Sequence, residues 1–125
     1  MESDLSPTGG AMSFAQELEF ALLGACFNDP AVIDAVAPIV EPDDFSEPIN
    51  GRVFDLLLGR RLEGGKIDAA AITDAVSIMV LDAEGADFVE RYVDAIVHPR
   101  VKPRFPKAFA VKLRAASKTT TEVVA

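Results

Sequence analysis

The segment that most constrains the fold of this chain is EPDDFSEPINGRVF, residues 41–54. Pro42 and Pro48 each suit the first turn of a helix, because that turn leaves unpaired the backbone N–H that proline lacks. Phe45 lies between them with no polar role, so we expect it to fill the space between helices. The segment also holds three residues of the types that hydrogen-bond free N–H groups at helix starts: Asp43, Asp44 and Ser46. It therefore predicts an ordered corner between two packed helices.

Apolar residues recur at spacings of three and four on both sides of this corner, as in helices packed by one face. Asn28-Asp29-Pro30, Gly64-Gly65 and Gly85 interrupt the pattern, and no alternation typical of strands occurs. We therefore predict an all-α fold, in which a small helical head of about four helices precedes a two-helix hairpin. Three apolar residues near helix ends are predicted to face the core: Leu62, Met79 and Val80.

The same pattern predicts the organisation of the chain, which at 125 residues suits a single domain. We expect a disordered leader, because the start of the chain is acidic and contains Gly, Ser and Pro. The Pro-rich connector inside the hairpin cannot continue a helix. The predicted parts are a leader at 1–12, the head at 13–84, the hairpin at 85–118 with a basic connector at 98–106, and a frayed tail at 119–125.

Charge is distributed unevenly along the chain. Residues 1–97 carry 19 acids and 5 bases, whereas residues 98–125 carry 7 bases and 1 acid. Such asymmetry indicates an interaction surface or an internal electrostatic pairing. One interpretation is that the basic end contacts the acidic body of its own chain or of a neighbour. The other is that it contacts nucleic acid.

The sequence offers no recognisable catalytic, cofactor-binding or metal site. Gly64-Gly65-Lys66 lacks the rest of a phosphate-binding loop, and the single Cys26 and single His98 are too few for a structural zinc site. Cys26 lies in an apolar helical pattern and is predicted to be a small core residue. No nucleophile has a visible base partner, so we do not expect an enzyme. No signal peptide or apolar run of membrane-spanning length is present, which makes the cytoplasm the default location.

Several short motifs occur in a fixed order between residues 13 and 97, and together they resemble the N-terminal (collar) domain of DnaB-type replicative DNA helicases. The motifs are ELEFALLGA at 17–25, Asp29-Pro30, Pro42-Asp-Asp-Phe45 followed by Pro48, Gly64-Gly-Lys-Ile-Asp68 and Gly85-Ala-Asp-Phe-Val89. The chain departs from the family at Ser46, where an aromatic residue is usual, and at Asn50, where histidine is frequent. It contains no ATPase domain and no Walker lysine. Its complete-looking ends favour a stand-alone protein over a helicase fragment.

The resemblance implies a non-catalytic module for protein interaction and self-association in DNA replication. Its implied partners are a second copy, as a dimer or higher oligomer through the hairpin, and the replicative helicase, primase or helicase loader of the primosome. The implied partner surface comprises Phe88, Val89, Tyr92, Val93, Ile96, Phe109 and Leu113. Two short amphipathic helices outside a head have exposed apolar stripes that another chain tends to cover. The alternative is that both helices fold back on their own head.

The other hypothesis is a small nucleic-acid-binding protein that uses the basic segment 100–118. Its predicted contacts to nucleic acid or to an acidic partner are Arg100, Lys102, Arg104 and Lys107. Only Phe105 and Phe109 are interleaved there as aromatics for base stacking, and the acidic body would repel phosphate.

Overall fold

The structure, a computed structural model, describes residues 14–79 and 85–124. Within these residues it is all-α, which confirms the predicted class. The elements are α1 (Phe14–Asn28), α2 (Ala31–Val36), a 3-10 turn (Pro42–Asp44), α3 (Pro48–Glu63), α4 (Ala69–Met79), α5 (Gly85–Val97) and α6 (Pro106–Val124). The predicted leader and Val80 lie outside the described residues.

Most helix boundaries follow from local signals in the sequence. Pro42 and Pro48 open the 3-10 turn and α3, and Gly64 ends α3 in the left-handed conformation, with φ of 73°. Asp68 accepts a hydrogen bond from the Ala71 N–H at 2.9 Å, and Asp29 does the same for Ala31 at 3.2 Å. These carboxylates accept hydrogen bonds from backbone N–H groups that have no partner within the first turn of a helix.

The fold is organised around α1, against which α2, α3, α5 and α6 all pack. Its buried face meets apolar side chains from each of these helices in one continuous core. The largest fully buried apolar residues include Leu22, Leu23, Ile33, Phe54, Leu57, Ile72, Tyr92, Ile96 and Leu113.

The last two helices are arranged differently from the expected hairpin. α5 packs on α1 and α4, whereas α6 packs on α1, α2 and the 3-10 turn, and the described residues of α5 and α6 do not pack on each other. The connector between them folds over the end of α1. A Cβ atom added to Gly24 would lie only 2.6 Å from Pro99 Cγ, so this approach requires glycine. α1 thus separates the two helices.

Three other expectations differ from the structure. Leu62 is 86% exposed, because it lies about 140° around the helix from the buried Leu57. Met79, the last residue of α4, is 41% exposed at the helix end and lines a surface groove. α6 continues beyond the predicted end at Lys118, so the backbone of the expected frayed tail is helical as far as Val124.

Candidate interaction surface

The corner at residues 41–54 is ordered, but its polar residues have different roles from those expected. Asp44, not Asp43, is the residue that caps the turn: its Oδ2 accepts the N–H of Glu41 at 2.8 Å and Nη1 of Arg114 at 3.0 Å. Burial raises the pKa of Asp44, but the bonds from the Glu41 backbone, Ser117 and Arg114 outweigh it and lower the pKa overall. The side chain of Asp43 is exposed. The corner is therefore joined to α6 by a charged pair.

Phe45 fills the space between helices, as predicted. It is buried, and its ring centroid lies 5.2 Å from that of Phe54 on α3. Gly51 makes this packing possible, because a Cβ at that position would lie 2.5 Å from the carbonyl oxygen of Pro42. The backbone of the 3-10 turn thus rests directly on α3.

A buried polar network that was not predicted from the sequence lies beneath the corner. Glu19 has no exposed surface. One of its carboxylate oxygens accepts both the N–H and the hydroxyl of Ser46 at 2.7 Å, and the other accepts Nδ2 of Asn50 at 2.7 Å. Oδ1 of Asn50 accepts the hydroxyl of Tyr92. The network joins α1, the corner, α3 and α5.

One signal in the sequence could have revealed this buried carboxylate. Glu19 precedes Leu22, Leu23 and Cys26 by three, four and seven residues, which places it on the apolar stripe of α1. A charge on such a stripe requires hydrogen-bond partners inside the protein. Ser46 is one of them, and it therefore does not cap a helix as expected.

The residues predicted as the self-association surface lie against the protein's own helices. Tyr92, whose exposed fraction is 1%, packs against Phe20 and Phe88, with ring centroids 5.4 and 5.9 Å away. The others are buried or half-buried in the same core: Phe88, Val89, Val93, Ile96, Phe109 and Leu113. In this conformation they correspond to the alternative in which both helices fold back on the head. Their contact with a second copy stays a prediction, and it would require α5 or α6 to move.

The basic residues, in contrast, are exposed. None of Arg100, Lys102, Arg104 and Lys107 forms an ion pair with a residue that the structure describes, and Lys112 shares this property. Arg114 is the exception, because it contacts Asp44 and, at 3.7 Å, Glu41. Within the part of the chain that the structure describes, the basic end therefore pairs with its own acidic body at Arg114, and five other cations form no ion pair.

Exposed apolar side chains accompany these cations. Phe105 is 67% exposed at the start of α6, and Val111 is 55% exposed on its outer face. Leu62 and Ile78 are further exposed apolar residues on α3 and α4. Phe109 is half-buried against the core, so Phe105 is the aromatic of this segment that reaches solvent.

Three further properties of the described residues concern the single cysteine, metal ligands and membrane-spanning helices. Cys26 is fully buried, and burial raises the pKa of its thiol to about 12, which confirms its assignment to the core. Among residues 14–79 and 85–124, no three His, Cys, Asp or Glu side chains are grouped to hold a metal ion. None of the helices described there has both the length and the apolar character to span a bilayer.

Comparisons with known proteins agree on one family. The family model of the DnaB-like helicase N terminal domain matches residues 11–101. The replicative DNA helicase DnaB of Geobacillus stearothermophilus is 29% identical over 82 residues, which cover 64% of this chain and 18% of the relative. The chain therefore spans less than a fifth of the length of that helicase.

A solved structure shows the same fold. The N-terminal domain of DnaB helicase from Helicobacter pylori, described together with its interactions with primase, superposes with a TM-score of 0.70. The two are 19% identical, and the match covers 87% of this chain and 83% of that one. The family match ends at residue 101, so most of the unpaired cations and the whole of α6 lie beyond it.

Proposed function

Because this chain belongs to the family of DnaB-like helicase N-terminal domains, we propose that it is a non-catalytic interaction module of the DNA replication machinery in the cytoplasm. The observation that carries the proposal is the family match over residues 11–101 together with the same helical fold. Its partners are a second copy and one of the replicative helicase, primase or helicase loader.

The partner surface is assigned to exposed residues and not to the buried face of α5. Docking through Tyr92 or Ile96 would first have to open a core that excludes water from both side chains. Exposed apolar residues such as Phe105 and Leu62 are available without this cost. Aromatic side chains at a surface are also frequent anchors of protein interfaces.

The proposal is tested with purified components. The chain is immobilised, and the primase, the replicative helicase and the helicase loader of its host are titrated separately by biolayer interferometry. We expect saturable binding of at least one of them, and competition by the N-terminal domain of the host helicase. Phe105→Ser and Leu62→Ser each remove one exposed apolar side chain on a different helix, so a loss with only one variant locates the surface. No binding of any of the three proteins at about 100 µM, a concentration above the Kd of most specific complexes, would contradict the proposal.

Nucleic-acid binding by segment 100–118 has less support. Five unpaired cations favour it, but Phe105 alone is freely available for stacking, and the chain carries a net charge of −8. It predicts affinity for an oligothymidylate that decreases steeply with salt and is lost when Arg100, Lys102 and Arg104 are changed to Ala.

A further inference from the structure

Two exposed surfaces of opposite charge each contain ionised side chains that form no ion pair with a described residue. The first, here called the basic strip, comprises Arg104, Phe105, Lys107, Val111 and Lys112 at the start and on the outer face of α6. Lys107 and Val111 are four residues apart, so they are neighbours on that face. The strip therefore combines three unpaired cations with two of the most exposed apolar side chains.

The second surface, here called the acidic groove, lies between the corner and the end of α4. It encloses about 690 Å³, and its lining includes Asp43, Asp55, Met79 and the buried ring of Phe45. Glu41 adds a further acid and Arg52 a single base, so the groove is negative overall. Asp43 and Asp55 form no ion pair with a described residue.

The start of the strip, residues 104–107, lies away from the groove of its own chain. Arg114 marks the place where α6 passes the corner, since it contacts Asp44 and Glu41. Lys107 precedes Arg114 by seven residues, which is about 10 Å along a helix, and Arg104 and Phe105 precede α6 itself. Among the described residues, the cations at the start of the strip therefore form no ion pair with the acids of the groove.

We propose that the basic strip of one copy docks in the acidic groove of a second copy. Phe105 and Val111 would lie against Met79 and Phe45, and Arg104 and Lys107 would face Asp43 and Asp55. Two different surfaces meet in this contact, so in a pair one copy keeps its groove free and the other keeps its strip free, and the association continues as a ring or a filament. This inference rests on the proposed function and specifies the surface through which the module self-associates.

Charge complementarity favours a second copy over nucleic acid as the occupant. The groove supplies acids and an apolar floor that match the strip, whereas a nucleic acid would also meet the acidic body of the chain. Residues 1–97 carry 19 acids against 5 bases, so this part of the chain would repel a nucleic acid.

Charge reversal with rescue tests the proposal. One variant reverses the strip (Arg104→Glu with Lys107→Glu), and another reverses the groove (Asp43→Lys with Asp55→Lys). Association is measured by sedimentation velocity at low and high salt, after circular dichroism has established that each variant is folded. The control, Arg60→Glu with Lys66→Glu, makes the same charge change as the strip variant at two residues that belong to neither surface.

We expect the wild type and the control to self-associate, more strongly at low salt, and each reversed variant to associate about tenfold or more weakly. An equimolar mixture of the two reversed variants should regain association, because each reversed surface then meets one of opposite sign. A wild type that is monomeric at low salt would overturn the inference. Folded reversed variants that still associate, or a mixture of them that does not associate, would also overturn it. The same holds if the protein is a monomer that binds an oligothymidylate and loses this binding when the strip is reversed. If the wild type is monomeric but binds primase or helicase, this inference fails together with the second copy as a partner, whereas the proposed docking on replication proteins stands.

Discussion

The hydroxyl of Tyr92 donates a hydrogen bond to Oδ1 of Asn50, which joins α5 to α3 inside the core. Burial raises the pKa of Tyr92, and the charges of Glu19 and Glu47 raise it further, so the hydroxyl remains a donor at neutral pH. Nδ2 of Asn50 in turn donates a hydrogen bond to a carboxylate oxygen of Glu19 on α1. Three helices that are distant in sequence are thus held in one arrangement by polar contacts that specify their register.

Tyr92→Phe should destabilise the protein by about 1–3 kcal/mol, because it leaves a buried amide oxygen without its donor. The phenylalanine ring preserves the contacts with Phe20 and Phe88, so the loss reports the hydroxyl alone. Urea unfolding followed by circular dichroism measures the change. Arg91→Ala is the control, since it removes an exposed ion pair to Asp87 and should alter stability by less than about 1 kcal/mol. Equal stability of Tyr92→Phe and the wild type would show that the bond contributes nothing.

Glu19→Gln should have a larger effect than the same change at Glu17. The carboxylate of Glu19 accepts three hydrogen bonds, and an amide would place an N–H₂ group opposite at least one donor. We expect a loss of about 2–4 kcal/mol in the free energy of unfolding for Glu19→Gln. Glu17→Gln should cost less than about 0.5 kcal/mol, since Glu17 is outside the network. Similar losses at the two positions, measured by the same urea titration, would contradict the assigned role of Glu19.

The sequence could predict the helix ends at the corner but not the long-range contacts of Glu19. Pro42, Pro48 and Gly64 act on their own backbone, so their residue types suffice to place the helix ends. The partners of Glu19 are 27 and 31 residues away, and their identity depends on how the helices pack. The sequence showed only that Glu19 shares a stripe with buried apolar residues.

The placement of α5 and α6 could not be predicted from local sequence patterns either, because it depends on how distant helices pack. An amphipathic helix must cover its apolar face, but the sequence does not say whether its own head or another chain covers it. Gly24 decides the question at the connector, because the absence of a Cβ there lets Pro99 lie directly on α1. The sequence signal for this placement is thus a single glycine, and its role is visible only from its contact with Pro99, 75 residues later.

Gly51→Ala and Gly59→Ala, both on α3, should change stability in opposite directions. A Cβ at residue 51 meets the carbonyl oxygen of Pro42 at 2.5 Å, whereas a Cβ at residue 59 meets nothing within 4 Å. We expect Gly51→Ala to cost about 1–3 kcal/mol through forced backbone movement. Gly59→Ala should stabilise the protein by up to about 1 kcal/mol, because alanine favours the helix. Thermal unfolding of both variants measures the difference, and stabilisation by both would mean that the corner does not rest on α3.

Asp44 should make the protein sensitive to acid. Its pKa in the folded state is lowered from the ordinary value of 3.8, so the folded protein favours the charged form more than the unfolded chain does. The resulting stabilisation is complete above the pKa of the unfolded state and is lost as the pH falls through the folded pKa. Asp34 has a pKa lowered by the hydrogen bond from Arg61 and contributes a slope of the same sign. The informative quantity is therefore the difference in the free energy of unfolding between the wild type and Asp44→Asn.

We expect Asp44→Asn to be less stable by about 1–3 kcal/mol at pH 7, because a charge-assisted bond to Arg114 is lost. The difference should narrow as the pH is lowered below 3.8, where the wild-type carboxyl takes up its proton. Urea unfolding at a series of pH values between about 2 and 7 measures the two curves. Arg114→Gln should show the same narrowing, since it removes the other half of the pair. Curves that remain parallel down to the lowest pH would show that Asp44 is not held in its charged form by the corner and α6.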